Sequence, residues 1–430
     1  MSLSKHAYAA LFLLACTGRE PAPEPVPEPA PVVTKQHAII FLIDTLRDDV
    51  TTTAATPHLD ALAARGQRID RAWSPGTWTV PSVIGMFTGM HVRTHGWDLP
   101  SARIGKYPRL PQAPTLAEVL QGEGFVTQGL YANTYLAEEL GFARGFDQWT
   151  RITDKVAPER VAKLVKEWEP GQRHFLYVHL LGPHSPLRPT PDAQARHEVA
   201  DEWFEGSRGL GIGVAKRNRR EGARPAYRAA YHAVVEDTDA IVGEMLTTLE
   251  PWLDDSVVIV TSDHGELIGE HDIAGHGYWV WEQLTHVPLI TAGGAPLPQA
   301  ISTSAMADYV TRTLGVKHTW SSQVDQPLPL VSQREGKLAL SPDGRFKGVW
   351  HDIDLAEPQV FDLAADPLEA TPLPQRSAAL LTARRTWEAA NAPGTAELTP
   401  ESTVALHPDT LAELAALGYV EADPGEEEAQ

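Results

Sequence analysis

The sequence predicts an α/β fold: a mostly parallel central sheet with helices on both faces, followed by a small C-terminal antiparallel subdomain. Three observations predict it. Two apolar runs, His37 to Asp44 and Val257 to Thr261, stop abruptly in polar residues, as buried parallel strands do when their carboxyl edge carries chemistry. Strand-like and helix-like stretches then alternate as far as Ala292. Beyond about residue 330 the pattern changes to short strands with polar flanks.

Each element follows from a local signal. After the first strand, Thr56 as N-cap, Pro57 at the first helical position and Gly66 as stop mark a short helix, and a strand follows near Arg68 to Trp73. Thr77-Trp78-Thr79-Val80-Pro81-Ser82 opens a second helix. Pro81 suits an early helical position, so Thr79 falls at the helix N-terminus, where free N–H groups and the dipole favour negative charge. Helix–strand pairs follow at Leu116–Gln121 with Phe125–Tyr131 and at Pro158–Trp168 with His174–Leu181. A longer helix from about Pro225 to Leu249 precedes the strand 256–261, and Val287–Ala292 reads as a further strand. Near the C-terminus, Lys337–Leu340, Phe346–Trp350 and Gln359–Leu363 read as strands, with Pro342-Asp343-Gly344 turning between the first two. Helices near 376–390 and 408–417 close the chain, and Gly418 stops the last.

Composition bounds the partners. A formal net charge of −20 over 430 residues disfavours nucleic acid and anionic membrane surfaces. A small anionic substrate stays compatible, because a bound metal can supply local positive charge. Lys5, an apolar stretch from Ala7 to Ala15 and then Cys16 make residues 1–16 an export signal too short to span a bilayer. Residues 17–36 are rich in proline and glutamate, a composition that stays extended at roughly 3.1 Å per residue. Cys16 is the only cysteine, which excludes an internal disulfide and a cysteine nucleophile in the folded part. The expected division is 37–330 for the main domain, 331–420 for the C-terminal subdomain and closing helices, and 421–430 for an acidic tail.

Asp263 and His264, side by side at a strand end, can turn a carboxylate and an imidazole onto one metal ion. Four segments together resemble the sulfatase family of the alkaline phosphatase superfamily: Ile43-Asp44-Thr45-Leu46-Arg47, Trp78-Thr79-Val80-Pro81-Ser82 with Thr88-Gly89, Pro183-His184-Ser185-Pro186, and Thr261-Ser262-Asp263-His264-Gly265-Glu266. Gly275-His276-Gly277, Val287-Pro288-Leu289 and Phe361-Asp362-Leu363 continue it, so the resemblance covers about residues 37 to 420. It implies Asp44, Asp263 and His264 as ligands of one divalent ion (Mg, Mn, Ca or Zn), with Thr79 as nucleophile and further metal ligand. His184 and His276 match positions that contact the substrate's oxygens and assist the leaving group. Leu13-Leu14-Ala15-Cys16 resembles a bacterial lipobox, implying lipidation at Cys16, anchoring in the outer membrane and a periplasmic or cell-surface location.

The departures from the family pattern redirect the expected chemistry. Sulfatases proper carry Cys-x-Pro-x-Arg, or a Ser variant, whose first residue becomes formylglycine. Here the pattern is Thr79-x-Pro81-x-Val83, and oxidation of threonine would give a ketone. Thr45 stands where many sulfatases have a second ligand aspartate, which implies a leaner metal shell. The resulting expectation is a metal-dependent hydrolase of a phosphoester, phosphodiester or phosphonate, working through Thr79 without formylglycine. A phospho-headgroup transferase and an inactive binding lipoprotein remain alternatives. Thr77 and Ser82 are competing hydroxyls, and only the motif register selects Thr79.

Overall fold

The computed structural model describes residues 34–97, 106–204, 209–213, 221–325, 331–333, 337–339, 344–350, 357–374, 377–391 and 403–416. The leader with Cys16, the tether as far as residue 33, Gly418 and the acidic tail lie outside the described residues. At the end of the tether the chain is already held: Lys35 N–H donates to Thr313 O at 3.1 Å and Gln36 N–H to Asp255 O at 2.8 Å.

Seven strands build the central sheet: β1 (His37–Ile43), β2 (Gly66–Arg68), β3 (Phe125–Tyr131), β4 (Gln148–Arg151), β5 (Arg173–Leu180), β6 (Ser256–Thr261) and β7 (Leu289–Ala292). Their order is β2-β7-β6-β1-β5-β3-β4. Strands β6, β1, β5, β3 and β4 run parallel, while β7 is antiparallel to both β6 and β2. The sheet is therefore mostly parallel, as the alternation of helices and strands predicts, with its reversed strand in the Val287–Ala292 segment.

Both faces of β1 are covered, which is why its sequence is apolar without alternation. Ala38, Ile40 and Leu42 pack with residues of α2 (Thr79–Thr88), α3 (Leu116–Gly122) and α6 (Met306–Thr313). Ile39, Phe41 and Ile43 pack on the other side with residues of α1 (Pro57–Ala64), α4 (Ala157–Val165) and α5 (Ala223–Leu253). Thr56 precedes α1, but its hydroxyl donates to Thr51 O at 2.9 Å instead of capping the helix. Gly66 begins β2, so the stop falls at Arg65.

Among the described residues Lys337–Ala339 pairs with Val331–Gln333, and Phe346–Val349 pairs with Gln359–Asp362, both antiparallel; residues 342 and 343 of the expected turn lie outside the described residues. The second pair is buried on both sides, Val349 and Phe361 packing with Trp281 and Leu284, and Val360 with Trp350 and Leu380. Lys347 then reaches from it to Glu282 Oε1 at 2.7 Å and Glu369 Oε1 at 3.0 Å.

Candidate active site

One row of the sheet places the site. Leu42 pairs with Thr261 on one side and with His179 on the other, and His179 pairs with Tyr131. Two residues beyond that row, just past β1, β6 and β3, stand Asp44, Asp263 and Asn133. The period of a strand is two, so such residues continue on the face of Leu42, the face covered by α2. The two acids and the amide are thereby turned toward the first residue of α2, Thr79.

Helix α2 is buried along its whole length, which suits a sequence apolar on nearly every side. Trp78 is extended before it, and Gly89, at φ 69°, adopts the left-handed conformation that ends it. Thr79 Oγ1 donates to Asp44 Oδ2 at 3.3 Å, and Asn133 Nδ2 donates to Asp44 Oδ2 at 2.7 Å and to Thr79 Oγ1 at 3.1 Å. Neither competing position shows such a link to Asp44: Thr77 lends its carbonyl to Gly277 N–H at 2.9 Å, and Ser82 Oγ is buried without a hydrogen-bond partner.

The chain reverses directly after Asp44. Thr45 sits at φ 57°, a region that β-branched residues avoid, at a cost of about 1–3 kcal/mol. That turn aims Thr45 N–H at Asp263 Oδ1, at 3.2 Å, and His264 N–H reaches the same oxygen at 2.9 Å. Asp44 Oδ1, Asp263 Oδ2 and His264 Nε2 are left without hydrogen-bond partners in a fully buried site. His264 Nε2 lies 3.6 Å from Asp44 Oδ1 and 3.5 Å from Asp263 Oδ2. Those separations exceed hydrogen-bond length. They match two donors of one ion, which stand about 3.3–3.6 Å apart when each is about 2.0–2.2 Å from it.

The electrostatics point the same way. Burial, then the neighbouring Asp263 carboxylate, pushes Asp44 well above the ordinary carboxylate range. Burial pushes Asp263 up to about 7 and depresses His264. Two buried carboxylates that resist ionising together, beside an imidazole that resists protonation, form a site that a divalent cation relieves at once. Asp44, Asp263 and His264 fit a hard or borderline ion, and Thr79 Oγ1 borders the same space.

His184 and His276 come together as the motif order implies, with ring centroids 5.3 Å apart, and His276 lies 4.4 Å from His264. His276 rides on a short antiparallel pair, Ala274–Gly275 against Leu267–Ile268. Gly275 at φ 107° and Gly277 at φ 86° fold this loop back over the start of α2, conformations that favour glycine. Glu266 Oε1 lies 3.1 Å from His276 Nδ1 and is fully buried. The buried Arg47 steadies the loop through Glu266 O at 3.0 Å and Glu270 Oε1 at 2.9 Å. Burial, then His276, lowers His184 to about 3, and its Nδ1–H donates to Ser185 O at 2.6 Å, which leaves Nε2 an acceptor while the ring is neutral.

Three members of the site escaped the sequence reading. Asn133 lies beyond any motif singled out, although its place two residues after a strand is the signal Asp44 gives too. His179 is concealed inside an apolar strand. Glu266 was visible only as the end of the Asp263 motif.

The family model described as Sulfatase matches residues 36–324. The chain belongs to the sulfatase family. Membership makes it a hydrolase of the phosphoric- and sulfuric-ester class. It is 22% identical to arylsulfatase K of Rattus norvegicus over 82% of this chain and 77% of that one. With the choline-sulfatase of Rhizobium meliloti it shares 29% identity over 38% of this chain, which spans only 37% of that relative's length. Among solved structures, one holding its substrate D-glucosamine-2-N,6-O-disulfate superposes with a TM-score of 0.67 at 15% identity, over 84% of this chain and 100% of the other. The phosphonate monoester hydrolase of Agrobacterium radiobacter gives 0.63 at 18% identity, over 86% and 100%. Both likenesses are of fold.

Proposed function

We propose that this sulfatase-family hydrolase cleaves a phosphoester, phosphodiester or phosphonate ester by attack of Thr79 Oγ1 at phosphorus. The observation that carries the reading is the Thr79 hydroxyl itself, held between Asn133 Nδ2 at 3.1 Å and Asp44 Oδ2 at 3.3 Å at the start of a buried helix. Asp44, Asp263 and His264 would hold one divalent ion, with Thr79 beside it. When bound, that ion supplies Lewis acidity and compensates the charge gathering on the nucleophile and on the phosphoryl oxygens.

The remaining work falls to the chain. Thr79 Oγ1 passes its proton to Asp44 Oδ2, which it already faces at 3.3 Å, as Asn133 donates to the forming alkoxide, and the free N–H groups of α2 favour the same negative charge. The departing oxygen takes its proton from His276 Nε2, while Glu266, on Nδ1, keeps the ring turned and offsets its charge. His184 gives its Nδ1–H to Ser185 O, so it takes up a second proton with the anionic substrate and donates from Nε2 to a non-bridging oxygen. Water then attacks phospho-threonine as His276 takes its proton, and the proton held by Asp44 returns to the Thr79 oxygen as it leaves phosphorus. Sulfate esters react more slowly here, because threonine provides no aldehyde hydrate and Val83 occupies the arginine position of the family pattern.

The test quenches the enzyme during turnover of aryl phosphate, phosphodiester, phosphonate and sulfate esters and maps adducts by mass spectrometry. An adduct of about +80 Da on Thr79 is expected with a phosphate monoester. Adducts on Thr77 or Ser82, or sulfate turnover exceeding that of all the phosphorus esters, would overturn the reading. We also propose export and a lipid anchor at Cys16, supported by the lipobox-like sequence. Cys16→Ser is expected to move the protein into the soluble fraction, and unchanged membrane association would refute the anchor.

A further inference from the structure

We infer that His179, from the middle of the sheet, is an additional ligand of the metal ion held by Asp44, Asp263 and His264; the inference rests on the metal-site reading above. The placement follows from the strand register. His179 is the cross-strand partner of Leu42 and of Tyr131, one pleat below Asp44 and Asn133, on the face that looks toward Thr79. It is fully buried, and its Nε2 has no hydrogen-bond partner. That atom stands 3.7 Å from Asp44 Oδ2, too far to be a hydrogen bond. Ligand atoms of Asp44, His179 and Asp263 all lie within 4.8 Å of one another.

A plain packing role explains these facts poorly. The strand is otherwise apolar from Phe175 to Val178 and again from Leu180. A leucine at 179 would fill the row without stripping an imidazole of water. The other side chain near this edge, Thr45, is committed elsewhere: its hydroxyl donates to Asp44 O at 2.7 Å and its N–H to Asp263 Oδ1 at 3.2 Å. His179 approaches the two acids from the adjacent strand, in place of the committed Thr45. Two imidazoles and two carboxylates move the site's preference from magnesium or calcium toward zinc or manganese.

The test uses the whole protein, stripped of metal and titrated with Zn²⁺ against a chromogenic chelator and with Co²⁺ by visible absorption. Wild-type protein is expected to bind one ion per chain. His179→Ala should lose more affinity than the roughly 10–100-fold that an outer-shell partner costs. It should also shift the Co²⁺ ligand-field bands, and pulsed electron paramagnetic resonance with Mn²⁺ should count one imidazole in place of two. His179→Phe keeps the ring volume, so a merely structural role predicts that it binds Zn²⁺ like wild type, and that result would overturn the inference. Failure of wild type to bind any ion would sink the metal-site reading itself. Two ions per wild-type chain would overturn the single shared ion.

Discussion

Thr79 Oγ1 and Asp44 Oδ2 are joined twice, by their own 3.3 Å hydrogen bond and by Asn133 Nδ2, which donates to both. The hydroxyl proposed as nucleophile and a carboxylate proposed to hold the ion are thus tied together, although they come from different elements 35 residues apart. Asn133→Ala should separate their roles. Thr79 loses a donor and Asp44 Oδ2 its shortest bond, so kcat/KM is expected to fall about 10–100-fold. KM should change far less than kcat, because the donation matters most as charge grows on Thr79 Oγ1. A raised KM with unchanged kcat would show instead that Asn133 only holds substrate.

Metal removal should be visible in stability as well as in rate. The three orphaned atoms of Asp44, Asp263 and His264 leave buried, unpartnered polarity in the metal-free protein. Chelation is expected to abolish turnover and lower Tm, and restoring the ion at about 100 times its Kd should return roughly 2.7 kcal/mol. Asp263→Ala should lose both responses while keeping its circular dichroism spectrum. Full metal occupancy of Asp263→Ala by elemental analysis would exclude that residue from the site.

At the opposite end of the sheet a different histidine makes the fold acid-sensitive. His174 stacks on Trp168 with centroids 4.2 Å apart and planes 7° from parallel, and neither ring nitrogen has a hydrogen-bond partner. Burial, then His37, lowers it to about 4 from an ordinary value of 6.5. Between those values the unfolded chain binds the proton and the native one does not, so stability rises with pH there. The contribution is complete above about 6.5 and is lost as pH falls toward 4, by at most about 1.4 kcal/mol per pH unit. His174→Phe keeps the stacking and removes the titration. Urea denaturation at pH 7 and pH 5 is expected to show a smaller loss of stability for the variant. Equal losses would mean that His174 does not titrate in this window.

Lys347 is a buried cation between Glu282 and Glu369, at 2.7 and 3.0 Å. Glu282 also accepts from Trp73 Nε1 at 3.1 Å, and its own N–H donates to Glu369 Oε2 at 2.6 Å. The cluster ties the C-terminal hairpin to the short helix Glu282–Thr285, which follows the His276 loop. Lys347→Met removes the only cation facing both acids among the described residues. A loss of about 3–5 kcal/mol is expected in thermal or urea unfolding. The double variant Lys347→Met with Glu369→Gln should recover part of it, and no recovery would assign the loss to packing.

The sequence by itself determined the interior strands of the main sheet, because apolar runs covered on both faces leave little freedom of assignment. It missed the edges: Gln148–Arg151 gives no apolar run, and the strand expected near Arg68 to Trp73 divides between Gly66–Arg68, in this sheet, and Arg71–Trp73, outside it. It also determined Asp44, Asp263, His264, Thr79, His184 and His276 as candidates, since each stands at an element's end within a motif. The tertiary structure decided what joins them. Asn133 entered the site because β3 lies two strands from β1 with Tyr131 in register with His179, and no local pattern reveals register between distant strands. His179 was hidden for a related reason. A buried histidine in an apolar strand looks like core until the unpartnered Nε2 is seen beside Asp44. Residues 342 and 343 of the turn expected at Pro342-Asp343-Gly344 lie outside the described residues, and the pairing of Phe346–Val349 with Gln359–Asp362 is again a matter of register that no local pattern reveals. Local residue chemistry fixes elements and their polar ends; cross-strand register and packing fix which of those ends meet.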